Sequence, residues 1–447
     1  MSDARSHGDR PSDRPSARMW RQALGAAGSA RFAQAITLIA IGFAFSTHAI
    51  RALVGWPGLL AALGALLVLA AASLVARWRA VEWYGILPLT ILVFVGWCAA
   101  SVIWSETTWL SLTGVLYLIA YGILGVYIAL MRDTIQIVRA FGDVLRLLLG
   151  LSLALEVLSG ILLDLPITFL GIRGDLAALG PIQGIFGTRN LLGFVALIGL
   201  LTFVVEWRTK IARGGKAWAS LGLAVVLIAL SGSPTTWIAL GAALVAMAAL
   251  YGLRRAKAAT RWWWQIGLLV AVVTALVVGW ILRIRIIELL DARAEFDVRL
   301  DVWREVSRYL AVNPLQGWGW VGTWPDQTPY IWIERMTGRP AASALSAYID
   351  AYFQVGVIGV LLFAALVGVA LVRAWLLASD RRSVVYVWPA LVLVVIAVTS
   401  FAESFALVEG GWMVLVVCAV KSAREMSWRD ALARARSAGA LPPRAGA

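Results

Sequence analysis

Residues 297–322 read DVRLDVWREVSRYLAVNPLQGWGWVG, the polar part of a long interruption in an otherwise apolar chain. Val298, Val302, Val306 and Leu310 recur every four residues, which places them along one face of a helix. Arg299, Trp303 and Ser307 recur at the same spacing on a neighbouring face. Asn313-Pro314 stops the helix, because proline lacks the next backbone donor and restricts the residue before it. Gly317-Trp318-Gly319-Trp320 then joins a backbone that can bend tightly to two large amphipathic rings. Arg299 is a fixed charge with five donors, suited to a phosphate or a carboxylate. The same pattern also fits an amphipathic helix lying on a membrane surface with tryptophans as interface anchors.

On either side of this stretch the chain is built for lipid. Mean hydropathy is +0.82, with 61% hydrophobic and 14% charged residues. That composition predicts an all-α, polytopic integral membrane protein. Runs of about 20 apolar residues mark transmembrane helices. They fall near 32–50, 57–76, 84–104, 110–131, 143–163, 191–207, 218–231, 236–253, 264–282, 355–377, 384–401 and 411–420, about twelve in all. Pro234 marks the least obvious division, since it either separates two helices or kinks one. Cys98 and Cys418 both sit in apolar runs and read as small hydrophobes. His7 and His48 have no neighbouring ligands, which argues against zinc. The net charge of +14 reads as basic cytoplasmic loops facing anionic membrane lipid, not as nucleic-acid binding.

Charge tests the count. With the N-terminus inside, Arg77, Arg132, the basic groups at 208–216 and 254–261, Arg381, Arg382, Lys421 and Arg424 all fall on the cytoplasmic side. The short outside connections hold only Arg51. This agreement with the positive-inside rule predicts a multi-pass protein of the cytoplasmic membrane with both termini cytoplasmic. The expected organisation is a disordered tail over 1–31, a membrane domain over 32–422 and a second tail over 423–447. The polar N-terminal segment lacks the order of a cleaved signal peptide. Two long extracytoplasmic segments, 164–190 and 283–354, carry nearly all the outside arginines. Within the spans, Glu156 reads either as a functional acid or as a carboxylate hydrogen-bonded between helices. Glu206 reads as an acid near an inner helix end, reaching to water, and Glu403 and Glu409 flank the last outside turn.

Four phrases follow one another at the outer ends of these helices. They are GIFGTRNLLGF at 184–194, SGSPTTWIALG at 231–241, RLDVWREVSRYLAVNPLQGWGW at 299–320 and SAYIDAYFQVGVIG at 346–359. Their order and placement resemble the O-antigen ligase and polymerase family of bacterial membrane glycosyltransferases, in its actinobacterial exopolysaccharide type. The resemblance covers roughly residues 36–419 and is most specific in the third phrase. It implies a GT-C-like helical fold with amphipathic helices in the long loop. It also implies transfer of a glycan from undecaprenyl pyrophosphate to an acceptor hydroxyl outside the cytoplasmic membrane, with no nucleotide sugar, metal or other cofactor. On that reading Arg299, Arg189, Asn190 and Trp303 bind substrate. Fixed guanidiniums would hold the pyrophosphate and stabilise charge as the bond breaks.

Two departures stand against the resemblance. The fourth phrase usually opens with a His-Asn pair, and here Leu345 and Ser346 occupy those positions. The second phrase usually carries a cation where this chain has Pro234. Asp350 and Asp301 are the candidate replacement bases, though a carboxylate is a weaker base than imidazole unless burial raises its pKa. Three readings stay open: a glycosyltransferase that ligates or polymerises an exported polysaccharide, a non-catalytic relative that binds the lipid carrier or partners an active paralogue, and a transporter. The last is disfavoured by the absence of repeated halves.

Overall fold

The computed structural model describes residues 27–80, 88–256, 260–289, 293–338 and 341–426. The tails expected at 1–31 and 423–447 lie outside the described residues over 1–26 and 427–447. Regular structure among the described residues is helical, apart from one isolated antiparallel bridge between Ile167 and Ile172. The helices are α1 (Ala30–Phe45), α2 (Thr47–Ala76), α3 (Leu89–Ala100), α4 (Thr108–Met131), α5 (Thr134–Val157), α6 (Arg189–Arg208), α7 (Gly214–Ser231), α8 (Pro234–Arg255) and α9 (Arg261–Ile281). They continue as α10 (Arg283–Leu289), α11 (Arg293–Leu310), α12 (Tyr330–Thr337), α13 (Ala347–Asp380), α14 (Val387–Thr399) and α15 (Glu409–Glu425).

This is a polytopic membrane protein. Among the described residues seven helices are long and apolar enough to cross a bilayer: α2, α4, α5 with its π-helical extension to Leu163, α6, α7, α8 and α13. Ala30–Phe45, Leu89–Ile103 and Val384–Thr399 are shorter apolar helices. The apolar stretches read from the sequence fall on α1–α9 and α13–α15. Val68, Leu147, Val245 and Leu361 are each more than 60% exposed on these helices, a surface suited to acyl chains and not to water. The chain divides at Pro234 instead of kinking. Gly232 takes the left-handed conformation that ends α7, and the Ser233 hydroxyl accepts from the Thr236 amide with Pro234 as the first residue of α8.

Among the described residues two helices break, each beside a glycine. Helix α2 breaks at Gly55, two residues before Pro57. Helix α13 begins at Ala347, about two turns earlier than the apolar run suggested, and breaks at Val355-Gly356. Several buried polar side chains in the core find partners. The Trp388 indole donates to Thr202 Oγ1 at 2.9 Å, the Trp412 indole to the Leu118 carbonyl at 2.9 Å, and Tyr127 to Ser73 at 3.0 Å. Helices α4 and α15 approach closely where Gly125 faces the Met413 carbonyl, so a side chain there would collide with the opposing backbone.

The two ends of the bundle differ. At one end basic residues tie the connections together: Lys421 Nζ donates to the Arg132 carbonyl at 3.0 Å and Arg254 to the Arg381 carbonyl at 2.9 Å. Near there Glu206 is fully buried and receives Arg146 at 2.5 Å, so it does not reach out to water as the sequence suggested. Arg146 also meets Asp143 at 2.7 Å. The other end carries the long loops and a second, smaller apolar core. There Val302, Val306 and Leu310 of α11 pack with Tyr330 and Ile333 of α12, Trp324 and Phe353.

Candidate functional site

The amphipathic helix of the opening stretch forms as its spacing predicts. Val302, Val306 and Leu310 of α11 are buried, and Arg299 is buried beside them at 8% exposure. Helix α11 ends at Leu310, before Asn313-Pro314. The following glycines let the chain return against other backbone. Gly317 has φ 68° and lies against Gln354, and Gly356 lies against the Leu315 carbonyl. The 319–320 backbone meets the α3–α4 connection, where the Trp320 amide donates to Ser101 Oγ at 2.8 Å.

Arg299 is a clasp. Its Nη2 reaches Glu403 Oε1 at 2.9 Å, its Nη1 reaches Glu295 Oε2 at 3.3 Å, and its Nε reaches the Ala402 carbonyl at 3.2 Å. The guanidinium thereby ties α11 to the α14–α15 connection. Arg189, the first residue of α6, pairs with the other oxygen of Glu295. The two arginines therefore share one carboxylate. Asn190 Nδ2 donates to Glu403 Oε1 at 2.6 Å, and Asn190 Oδ1 is buried with no donor among the described residues. Burial pushes the Glu403 carboxyl above its ordinary range, against the opposing pull of Arg299 and the Asn190 amide.

Accessibility separates the two cations. The Arg189 side chain is 35% exposed and that of Arg299 10%. Arg173 is exposed, close enough to act electrostatically on Arg189, and makes no hydrogen bond or ion pair among the described residues. A ligand from outside therefore meets Arg189 and Arg173 first, with Arg299 behind them.

The four sequence phrases meet around this cluster. Glu156 accepts from the Gln183 amide at 3.0 Å and the Gly184 amide at 2.7 Å, fixing the loop that precedes Arg189. Glu156 is a hydrogen-bonded carboxylate, with loop amides as its partners where the sequence reading expected a second helix. Gly193 packs on Thr236 and Ser231 of the second phrase, and Gly232 lies near the Arg189 guanidinium. Trp303 of the third phrase donates from its indole to the Ala344 carbonyl at 2.8 Å. In the fourth phrase the Ala347 amide donates to the Ser400 carbonyl at 2.9 Å and the Glu403 carbonyl at 3.1 Å. Trp303 is thus a positioning residue that holds α11 against the segment before α13.

Neither candidate base is presented to the cluster. Asp350 is 1% exposed, and its Oδ1 accepts from the Trp324 indole at 2.8 Å and Gln354 Nε2 at 2.9 Å. Gln354 Oε1 in turn accepts the Val321 and Gly322 amides, each at 2.8 Å. Asp350 anchors the loop to α13. Asp301 lies on the exposed side of α11 and pairs with Arg304 at 2.9 Å. Leu345, where the resemblance expects histidine, is half-buried with φ 52°, in the left-handed region that a leucine seldom adopts. His48 packs its ring on Gly187 of the first phrase, with Nε2 3.3 Å from the Leu170 carbonyl.

The sequence reading assigned the arginines to an anion and did not pair them with Glu295 and Glu403. Glu295 was detectable as the acid one helical turn before Arg299. Glu403 was detectable as an acid between two apolar helices. Among the described residues no group of three or more His, Cys, Asp or Glu side chains is arranged to hold a metal ion.

No curated protein matches the chain. Residues 219–364 match the family model described as O-Antigen ligase, a segment that runs from α7 through α11 into α13 and so includes Arg299, Trp303, Leu345 and Asp350. Over that segment the chain is similar to the O-antigen ligase family, in line with the resemblance read from the four phrases.

Proposed function

We propose that this protein holds a polyprenyl-pyrophosphate-linked glycan at the loop-bearing end of its bundle, on the extracytoplasmic side of the cytoplasmic membrane. There it serves ligation or polymerisation of an exported polysaccharide onto a glycan or lipid acceptor. The observation that carries this reading is the meeting of all four phrases around Arg189 and Arg299, beside lipid-facing helices. A pyrophosphate needs concentrated positive charge at a membrane interface, and its tail needs apolar helix surface. Arg189 and Arg173 are the reachable cations. Asn190 Oδ1, buried and without a donor, is an acceptor of the kind a substrate hydroxyl satisfies. A site at one end of the bundle also fits glycan transfer better than transport, for which a substrate site near the bilayer midplane is usual.

The reaction needs a base for the acceptor hydroxyl. Leu345 cannot accept a proton. Asp350 is engaged with Trp324 and Gln354, and Asp301 faces away with Arg304. Loss of general-base assistance typically costs about 10² to 10⁴ in rate. The chain alone therefore binds the lipid-linked glycan and turns it over slowly, and an active paralogue is the fitting partner. The test uses purified full-length protein in nanodiscs with lipid-linked glycan and acceptor, following both binding and transfer. Binding lost in Arg189→Ala, with slow transfer by the unaltered chain, agrees with the proposal. Efficient transfer that Asp350→Asn abolishes would show that a carboxylate has become the base. If the unaltered protein does not bind the lipid, the glycan-handling reading fails.

A further inference from the structure

A cleft of about 480 Å³ opens between the α3–α4 connection and α12, separate from the arginine cluster. That volume lies in the range of small-ligand sites, roughly 300–1,000 Å³. Its walls carry Glu106, Thr107, Asp326, Gln327, Trp332 and Arg335. We infer that this cleft is a subsite for an uncharged stretch of glycan.

Three observations select that ligand. Glu106 and Asp326 are exposed and make no hydrogen bond or ion pair among the described residues. Two carboxylates with vacant lone pairs, an amide and a threonine hydroxyl form the acceptor-rich lining that sugar hydroxyls satisfy. Hydroxyl-to-carboxylate hydrogen bonds are short and charge-assisted. Trp332 is 43% exposed, and the Arg335 guanidinium lies over its ring at 5.1 Å. The ring is thereby braced by a cation, and its apolar surface suits the C–H face of a pyranose. The charge balance of the lining, two carboxylates against one guanidinium, repels phosphate and pyrophosphate, so this cleft does not duplicate the Arg189 site. No group of three or more metal-ligating side chains occurs among the described residues, which disfavours a metal here.

The cleft is held in shape from behind. Tyr330 and Ile333 on the opposite face of α12 are buried in the smaller core with Val302 and Val306. The Tyr330 hydroxyl donates to the Gly319 carbonyl at 3.2 Å, and Gly319 packs on Ser105, just before Glu106. The Thr107 amide donates to Ser105 Oγ at 3.2 Å. The two walls are thus joined through the glycine-rich return that also carries Arg299's helix. A chain bound here and a lipid pyrophosphate at Arg189 would rest on one rigid platform.

The inference takes the glycan's source from the proposed function, and the binding itself is tested without it. Full-length protein in nanodiscs is titrated with maltotriose, cellotriose and chitotriose, and saturation-transfer NMR reads binding. The probes carry neither lipid nor phosphate. Binding of at least one trisaccharide is expected, weakened tenfold or more by Trp332→Ala and by Asp326→Asn. Arg189→Ala and added inorganic pyrophosphate should leave it unchanged. Trp332 and Asp326 are exposed, so unfolding midpoints of the variants should match the unaltered protein. The inference is overturned if none of the three binds, or if binding survives both variants. It is also overturned if calcium ion alone binds and Asp326→Asn removes it. Saccharide binding that persists while lipid-linked glycan fails to bind would sink the proposed function and leave the cleft assignment standing. The reverse pattern would do the opposite.

Discussion

Leu345 adopts φ 52° directly before α13. Backbone strain of this kind costs on the order of 1–3 kcal/mol. Histidine and asparagine enter the left-handed region more readily than leucine does. The backbone at this position therefore suits histidine, the residue that the resemblance expects here, better than the leucine it carries. Leu345→His should leave the unfolding midpoint unchanged or slightly raised, and with Ser346→Asn should increase transfer. A fall in stability, seen by thermal unfolding in detergent, would mean that the conformation serves leucine itself. The arginines divide by burial in the same way. Arg299→Ala leaves Glu403 buried and charged with the Asn190 amide as its remaining partner, and breaking such a pair costs about 3–5 kcal/mol. Arg299→Met with Glu403→Gln should recover most of that loss. Arg189→Ala removes a more exposed pair, worth about 0–1 kcal/mol, and should weaken lipid-linked glycan binding without lowering the midpoint. If Arg299→Ala unfolds no more easily than Arg189→Ala, the clasp assignment is wrong.

Helix α13 carries the strongest constraint at the level of elements. Its break at Val355-Gly356 lets the Leu315-Gln316 backbone lie against it, and the Val357 amide donates to the Pro314 carbonyl at 3.0 Å. A side chain at 356 meets backbone that cannot rotate away, and φ 71° there is costly for any residue but glycine. Gly356→Ala should therefore lift the glycine-rich return from α13 and speed proteolysis within 311–323, while helix content by circular dichroism stays near that of the unaltered protein. Unchanged proteolysis would mean that the contact is not what seats the loop. These elements were partly legible beforehand. Period-four valines gave α11, and Asn313-Pro314 gave the limit of the helix. The role of Gly356 was not legible, because it depends on a carbonyl from a segment some 40 residues away. The same holds for Asp350. Its type and position suggested a base, and only the approach of Trp324 and Gln354 makes it an anchor.

At the level of the whole molecule, apolar runs and basic loops carried most of the information, since length and charge decide what a bilayer accepts. The partners of a buried charge were legible only in part: Glu295 lies one turn before Arg299 on α11, whereas Glu403 comes from an element that meets α11 only in the folded chain. The contacts between basic connections, such as Lys421 with Arg132 and Arg254 with Arg381, gather the positive loops at one end, opposite the arginine cluster. The positive-inside rule predicts that this end faces the cytoplasm and the cluster faces outward. Cys98 and Cys418 are both fully buried, so the natural thiols should stay silent to an impermeant maleimide. New cysteines are then reporters of side. Gln327→Cys, exposed beside α12, should be labelled in intact cells, and Arg213→Cys, exposed before α7, only after the membrane is permeabilised. Labelling of Arg213→Cys in intact cells with Gln327→Cys protected would invert the protein in the membrane. It would place the arginine cluster in the cytoplasm and remove the basis for an extracytoplasmic lipid-linked donor.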